Sequence, residues 1–278
     1  GNAPFQNAMA MDANRCGIPV VYGFCRGVGS VSYAAAVLLL GFVLELHAPT
    51  LLLPVFAALT ACGLLAMAGF RLPERPDEAA DRPAERRSIA AVLRSHPRFA
   101  LTLLGCMFFF LTHTISNTYM NALVGKAGGT ASAVGTSLAI SAVLELPAMT
   151  LVSRLQKRFS PGFFLRFAAG AEIVKFLIFY LARSMPLIYL GHCMQFFQFA
   201  VYAPATVYYV AAALPERDQL KGQSLIYVAG SGLGGALGNL LGGRLLDRSG
   251  IQAALLLGTV SAAASLLTFC LSTREDSR

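Results

Sequence analysis

Eight stretches of about 20 predominantly apolar residues follow one another along the chain, and each is long enough to cross a bilayer as a helix. They run roughly over 18–44, 50–70, 98–121, 131–153, 162–182, 186–212, 222–246 and 251–271. Within lipid, backbone polar groups must be satisfied internally, which leaves only helices or a closed β-barrel. No ten-residue alternation recurs as a barrel requires. The expected fold is therefore an all-α membrane bundle of eight spans, with residues 1–13 reading as the end of a further helix. Composition agrees: 13% of residues are charged, against about 25% in soluble domains.

The net charge of +8 does not point to nucleic acid, because the charges sit mostly in short loops between apolar runs. Their distribution gives an orientation instead. One set of loops holds Arg15, the seven arginines between 71 and 98, Arg154, Lys157, Arg158, Arg217, Lys221, Arg274 and Arg278. The other side holds only Lys126, Arg183, Arg244 and Arg248. The basic side is expected to be cytoplasmic, which puts both chain ends in the cytoplasm and the protein in a cell (inner) membrane.

Residues 71–97 differ in kind: they mix charges with four prolines. They read as a cytoplasmic linker that ends in a short amphipathic piece at 88–95. The expected division is 1–70, the linker 71–97, and a six-span unit over 98–278. A six-helix block after a long basic loop suits the second half of a six-plus-six transporter, an architecture of internal repeats. The chain begins at Gly1 with no basic region ahead of an apolar segment, so it reads as the later part of a longer chain.

Six cysteines lie in or beside apolar runs without a CxxC pair; they read as small packing residues, with no disulfide framework or metal site expected. HExxH, Walker A and GxSxG are absent from the sequence. Neither enzymatic activity nor a cofactor is expected. Gly230, Gly232 and Gly235 match GxGxxG, but no strand precedes them. Gly230, Gly234, Gly238 and Gly242 recur every fourth residue and predict a close helix-packing seam.

Charges at bilayer depth cost about 2.5–3.5 kcal/mol on insertion scales and mark function by default. Arg26, in "VVYGFCRGVGSVSYAAAVLLLGFVL", lies eight residues inside the span 18–44, roughly 12 Å from the helix end. It reads as a cavity-facing cation for a substrate or carboxylate, or as half of a structural ion pair. Glu145 lies mid-span in "AISAVLELPAMTLV", two residues before a helix-bending Pro147. Burial favours the protonated form of a carboxyl, which suits a proton carrier. Glu172 and Lys175, spaced i,i+3, are expected on one face where they can pair. His113, Asn117 and Asn121 form one polar stripe. His192, Gln195 and Tyr202 form a second, with Gln198 beside them and aromatic residues around. Amides with aromatics suit a neutral polyhydroxy or heterocyclic solute.

The stretches "PVVYGFCRGVGSVSYA", "NTYMNALVGKAGGTASAVGTSLAISAVLELPAM", "YAPATVYYVAAALPERDQLKGQS" and "GGRLLDRSG" resemble the major facilitator superfamily, in its lactose-permease-like branch of proton symporters. The resemblance covers nearly the whole chain. It implies that residues 1–13 end helix 4 and that the eight spans are helices 5 to 12, packing against N-terminal helices not in this sequence. Arg26 matches the family's helix-5 arginine that contacts the sugar. The helix-4 glutamate that partners it falls near Asn7. Lys175 matches the helix-9 arginine of the proton-coupling region, and His192 the helix-10 histidine, with Gln195 where a carboxylate stands. The helix-7 aspartates correspond to Thr114 and Asn117, and the helix-8 sugar-binding glutamate falls near Ala142, one turn from Glu145.

The resemblance implies alternating-access transport of a small polar solute, sugar or nucleoside-like, with a proton, by a monomer. Substrate binding is assigned to Arg26, Asn117, His192, Gln195 and Asn7, and proton coupling to Glu145, Lys175 and Glu172. The alternatives are drug/proton antiport and a non-transporting truncated membrane protein.

Overall fold

A computed structural model describes residues 22–46, 49–69 and 88–273. The helix stub at 1–13, Asn7 and most of the linker lie outside these residues. Among the described residues all regular structure is helical. The elements are α1 (Tyr22–Leu46), a 3-10 turn (Pro49–Leu51), α2 (Leu52–Ala68), α3 (Ile89–Ser95), α4 (Pro97–Thr118), α5 (Met120–Lys126), α6 (Ala131–Leu155) and α7 (Pro161–Leu181). They continue with α8 (Met185–Cys193), a 3-10 turn (Met194–Phe196), α9 (Phe199–Ala213), α10 (Glu216–Tyr227), a π-helical segment (Val228–Gly234), α11 (Gly235–Ser249) and α12 (Ile251–Ser272).

All eight expected spans appear as helices or as broken helical runs. Among the described residues, six helical runs are long and apolar enough to cross a membrane: Val28–Leu46, Pro97–Thr118, Ala131–Leu155, Met185–Ala213, Arg217–Ser249 and Ile251–Ser272. Of the other two, α2 is shorter, and α7 carries Arg166, Glu172 and Lys175 within its 21 residues.

Local chemistry sets several boundaries. Ser88 caps α3 by accepting from the Ala91 N–H at 3.2 Å, and Pro97 then opens α4 at a position where its missing N–H costs nothing. Ser160 and Pro161 repeat the device at α7, with Phe163 N donating to Ser160 Oγ at 3.2 Å. Gly250, at φ +78°, turns the chain between α11 and α12 in the left-handed region that glycine adopts freely. α6 runs unbroken through Pro147.

α4 is the centre of the later bundle. α12 lies on one side of it, held by serine and threonine hydroxyls that bond to opposing carbonyls. Ser265 donates to Gly105 O at 3.0 Å, Ser261 to Phe108 O at 3.0 Å and Thr112 to Gly258 O at 3.1 Å. Such bonds and small residues are how helices associate where no hydrophobic effect separates them. The expected glycine seam lies on the other side. A Cβ on Gly230 would meet the Phe110 ring, and on Gly234 or Gly238 the Met107 or Leu111 carbonyl. Phe99, Phe109, Tyr202 and Phe269 fill the core between α4, α9 and α12.

α1 packs lengthwise on α6 through Ala34, Val37 and Leu38 against Ala139 and Ala142. α2 leaves Leu53, Phe56, Leu64 and Leu65 exposed.

Candidate functional site

A cavity of about 470 Å³ opens between α1, α4, α6 and the start of α9. Gly29, Ser30 and Tyr33 line it from α1, His113 and Asn117 from α4, and Leu138, Ser141, Ala142 and Glu145 from α6. Gln195 and Phe199 close it from the segment where the run 185–213 breaks.

That break organises the chemistry. The sequence predicts one helix over 186–212. Instead α8 tightens into a 3-10 turn at Met194–Phe196, and Gln198 adopts φ −102°, ψ −93°. The two glutamines on the break therefore leave the helix in different directions. Gln195 receives a hydrogen bond from Lys175 Nζ on its Oε1 at 3.0 Å and donates from Nε2 to Glu145 Oε1 at 3.2 Å. Gln198 donates to Glu172 Oε1 at 2.9 Å.

Glu172 and Lys175, one turn apart on α7, remain charged neighbours as expected but make no direct contact ion pair. Gln195 draws the ammonium toward α6, and Gln198 occupies the Glu172 carboxyl. Lys175 is 1% exposed and Glu172 0%. Phe179 lies under the ammonium at 5.7 Å, a distance at which a ring face attracts a cation. The other Glu172 oxygen is buried with no hydrogen-bond partner.

Glu145 sits a little past the midpoint of α6, where Ser30 Oγ donates to its Oε2 at 2.8 Å. The chain of contacts thus runs Lys175, Gln195, Glu145, Ser30, and it links α7, the break, α6 and α1. Asn117 donates to the His113 carbonyl at 2.9 Å and lies 3.1 Å from His113 Nε2. The His113 ring stacks on Phe199 with centroids 4.4 Å apart. His192 lies behind the cavity wall, 1% exposed. Its Nδ1 is 2.7 Å from Ser141 Oγ, and its Nε2 faces Met120 Sδ at 3.4 Å. Ser141, which lines the cavity, links it to that space.

Asn117, Gln195 and Glu145 therefore line one cavity, and Lys175 is one residue removed from it. Glu172 is separate, and the side chain of Arg26 lies outside the described residues. Ser30, Tyr33 and Ser141 are lining residues that the sequence reading left out. A signal for two of them was present: Ser30 and Tyr33 follow Arg26 by four and seven residues, the spacing of one helix face. Among the described residues no group of three or more His, Cys, Asp or Glu side chains is placed to hold a metal ion.

Long apolar helices around a polar, charge-bearing cavity define a multi-pass α-helical membrane protein. The chain belongs to the MFS_1 like family, which matches residues 17–257. It is 28% identical over 257 residues to the maltose permease of Geobacillus stearothermophilus, across 92% of this chain and 64% of that protein. It is 23% identical over 258 residues to the uncharacterized transporter YwbF of Bacillus subtilis (strain 168), with the same coverage. The chain thus spans less than two thirds of the length of these curated relatives. The crystal structure of FucP, a Major Facilitator Superfamily transporter in the outward conformation, superposes with a TM-score of 0.55 at 18% identity. That match covers 83% of this chain and 59% of FucP, and at this identity it speaks for the fold.

Proposed function

We infer that this chain supplies most of the cavity of a secondary transporter for a small polar solute, sugar or nucleoside-like, moved together with a proton. The observation that carries the reading is Glu145. It is a titratable carboxyl on the wall of a polar cavity, and it bonds at once to α1, through Ser30, and to the buried cation Lys175, through Gln195. A group placed there registers occupancy of the cavity and transmits it to the contact between two helix groups. The similarity to a maltose permease favours a sugar.

In this reading residues 1–70 belong to one bundle and 98–278 to a second, joined by the linker 71–97, with both chain ends in the cytoplasm. The bundles rock about the cavity in alternating access. Asn117 and Gln195 hydrogen-bond the solute, His192 acts through Ser141, and Arg26 and Asn7 contribute from the first bundle. The His113–Phe199 stack offers an apolar face to a sugar ring or a base. Glu145 carries the proton, and Lys175 and Glu172 set its electrostatic surroundings.

The test is uptake of a solute panel by the complete gene product in vesicles, with and without an imposed pH gradient. Gradient-driven accumulation of a sugar or nucleoside that is lost in Glu145→Gln supports the reading. Accumulation that survives in Glu145→Gln removes Glu145 from the proton path. Solute export against the gradient replaces symport by antiport.

A further inference from the structure

α6 begins with a helix cap supplied by another helix. Its own N-cap residue, Thr130, has the extended backbone of a capping position, φ −105° and ψ −178°, yet its side chain makes no capping bond. The bond comes from Glu45 at the end of α1, whose Oε1 accepts from the Ser132 N–H at 3.2 Å. Thr130 Oγ1 instead lies 3.0 Å from Ser132 Oγ, and both hydroxyls sit beside the Glu45 carboxylate. A carboxylate is well placed at a helix start, where unpaired N–H groups and the helix dipole both favour negative charge.

The same end of the α1–α6 pair is its tightest point. A Cβ on Gly135 would meet the Val37 carbonyl at 2.5 Å, and one on Gly41 would meet Ala131 O at 3.2 Å. Further along, at Gly29, Ser30, Tyr33 and Glu145, the two helices enclose the cavity. Closure at one end and a cavity beyond it is the geometry of a gate. Thr130 is a residue type that caps helices well, and its backbone is already in position to do so.

We propose that Glu45 is a latch between α1 and α6, and that Thr130 takes over the cap when the two helices part. The device is two-state: the first turn of α6 is satisfied with the gate closed, by Glu45, and with the gate open, by Thr130. Neither state leaves the start of α6 uncapped, so opening loses little on this account and a modest bias from the cavity can drive it. The proposal rests on the alternating-access reading for its role, but its test requires neither solute nor proton gradient.

Ala139 is buried between the helices behind the latch. In the complete gene product carrying Ala139→Cys, a membrane-impermeant maleimide is added on the face where α1 ends and α6 begins. Alkylation at position 139 is followed by peptide mass spectrometry, which resolves it from the native cysteines. Glu45→Ala is expected to speed alkylation about five-fold, the factor that loss of a typical cap represents. Glu45→Gln, which keeps an acceptor oxygen, is expected to speed it less. In the Glu45→Ala background, where its hydroxyl no longer meets the carboxylate, Thr130→Ala is expected to slow alkylation, because the open state loses its cap. The latch is overturned if Glu45→Ala leaves the rate unchanged, if Gln and Ala at 45 behave alike, or if Thr130→Ala speeds labelling in the Glu45→Ala background. Loss of the latch leaves the uptake test untouched, and failure of uptake leaves the labelling result standing.

Discussion

The Nζ of Lys175 and the Oε1 of Gln195 lie 3.0 Å apart, and the far side of the same amide reaches Glu145. A buried cation thus meets a carboxyl through a neutral group. Two unit charges 4 Å apart attract by about 4 kcal/mol at an effective dielectric of 20, and roughly half that at twice the distance. The interposed amide keeps Lys175 and Glu145 coupled without locking them as a contact ion pair.

The first prediction concerns this bridge. Gln195→Leu leaves a buried ammonium without its oxygen partner. Breaking a buried charged contact from one side costs about 3–5 kcal/mol. A large fall in Tm is expected for the purified protein in detergent. The double variant Lys175→Met/Gln195→Leu removes the stranded charge and is expected to be more stable than Gln195→Leu alone. A double variant less stable than the single would show that Lys175 has another partner.

Ser30 makes the weaker end of the same chain. Its bond to Glu145 is part-buried and borders a cavity that water can enter, so water can replace the lost donor. Ser30→Ala is expected to cost about 1 kcal/mol, the ordinary net worth of one hydrogen bond. The order is the test: a Tm loss for Ser30→Ala as large as that for Gln195→Leu contradicts the assignment of strengths.

Much of this arrangement is legible in the sequence, because helix spans depend on length and apolarity alone. The eight segments, the amphipathic piece that ends the linker and the glycine seam all follow from local patterns. Glu145, Lys175, Gln195 and Asn117 stand out as polar residues in apolar runs. The Glu172–Lys175 pair shows where such reasoning stops. Spacing puts two side chains on one face, but it does not say which rival partners another helix brings. Here the rivals are Gln195 and Gln198, and they reach α7 because the chain breaks at 194–198, between Gly191 and Pro204, with neither residue inside the break. The π-helical stretch at 228–234 is similar: the glycines that permit it are visible, while its form is set by packing on Phe110 and Met107.

His192 and Ser141 are coupled by a 2.7 Å contact, which makes a distinct prediction about the cavity. If His192 reaches solute only through Ser141, then Ser141→Ala and His192→Ala raise the KM for uptake by similar factors. The double variant is then no worse than either single. Asn117→Ala, on a different wall, is expected to multiply with both, as independent sites do. Uptake kinetics on the four variants give the answer. Multiplication between 141 and 192 would mean that the histidine acts by another route.

The glycine seam makes the sharpest stability contrast. On Gly238 an added methyl would lie 2.7 Å from the Leu111 carbonyl and 3.0 Å from Thr114 Cβ. Neither is the free end of a flexible chain, so α11 must move away from α4. Overpacking of this kind costs about 1–3 kcal/mol. Gly232, in the neighbouring π-helical segment, has nothing closer than the Tyr227 carbonyl at 3.8 Å, and Gly170, inside α7, has open space. At Gly170 the helix preference of alanine is expected to win, by up to about 1 kcal/mol. The expected Tm order is therefore Gly170→Ala at or above the parent, Gly232→Ala near it and Gly238→Ala well below. A seam that tolerated Gly238→Ala as well as Gly232→Ala would mean that α4 and α11 are not in this close contact in the membrane.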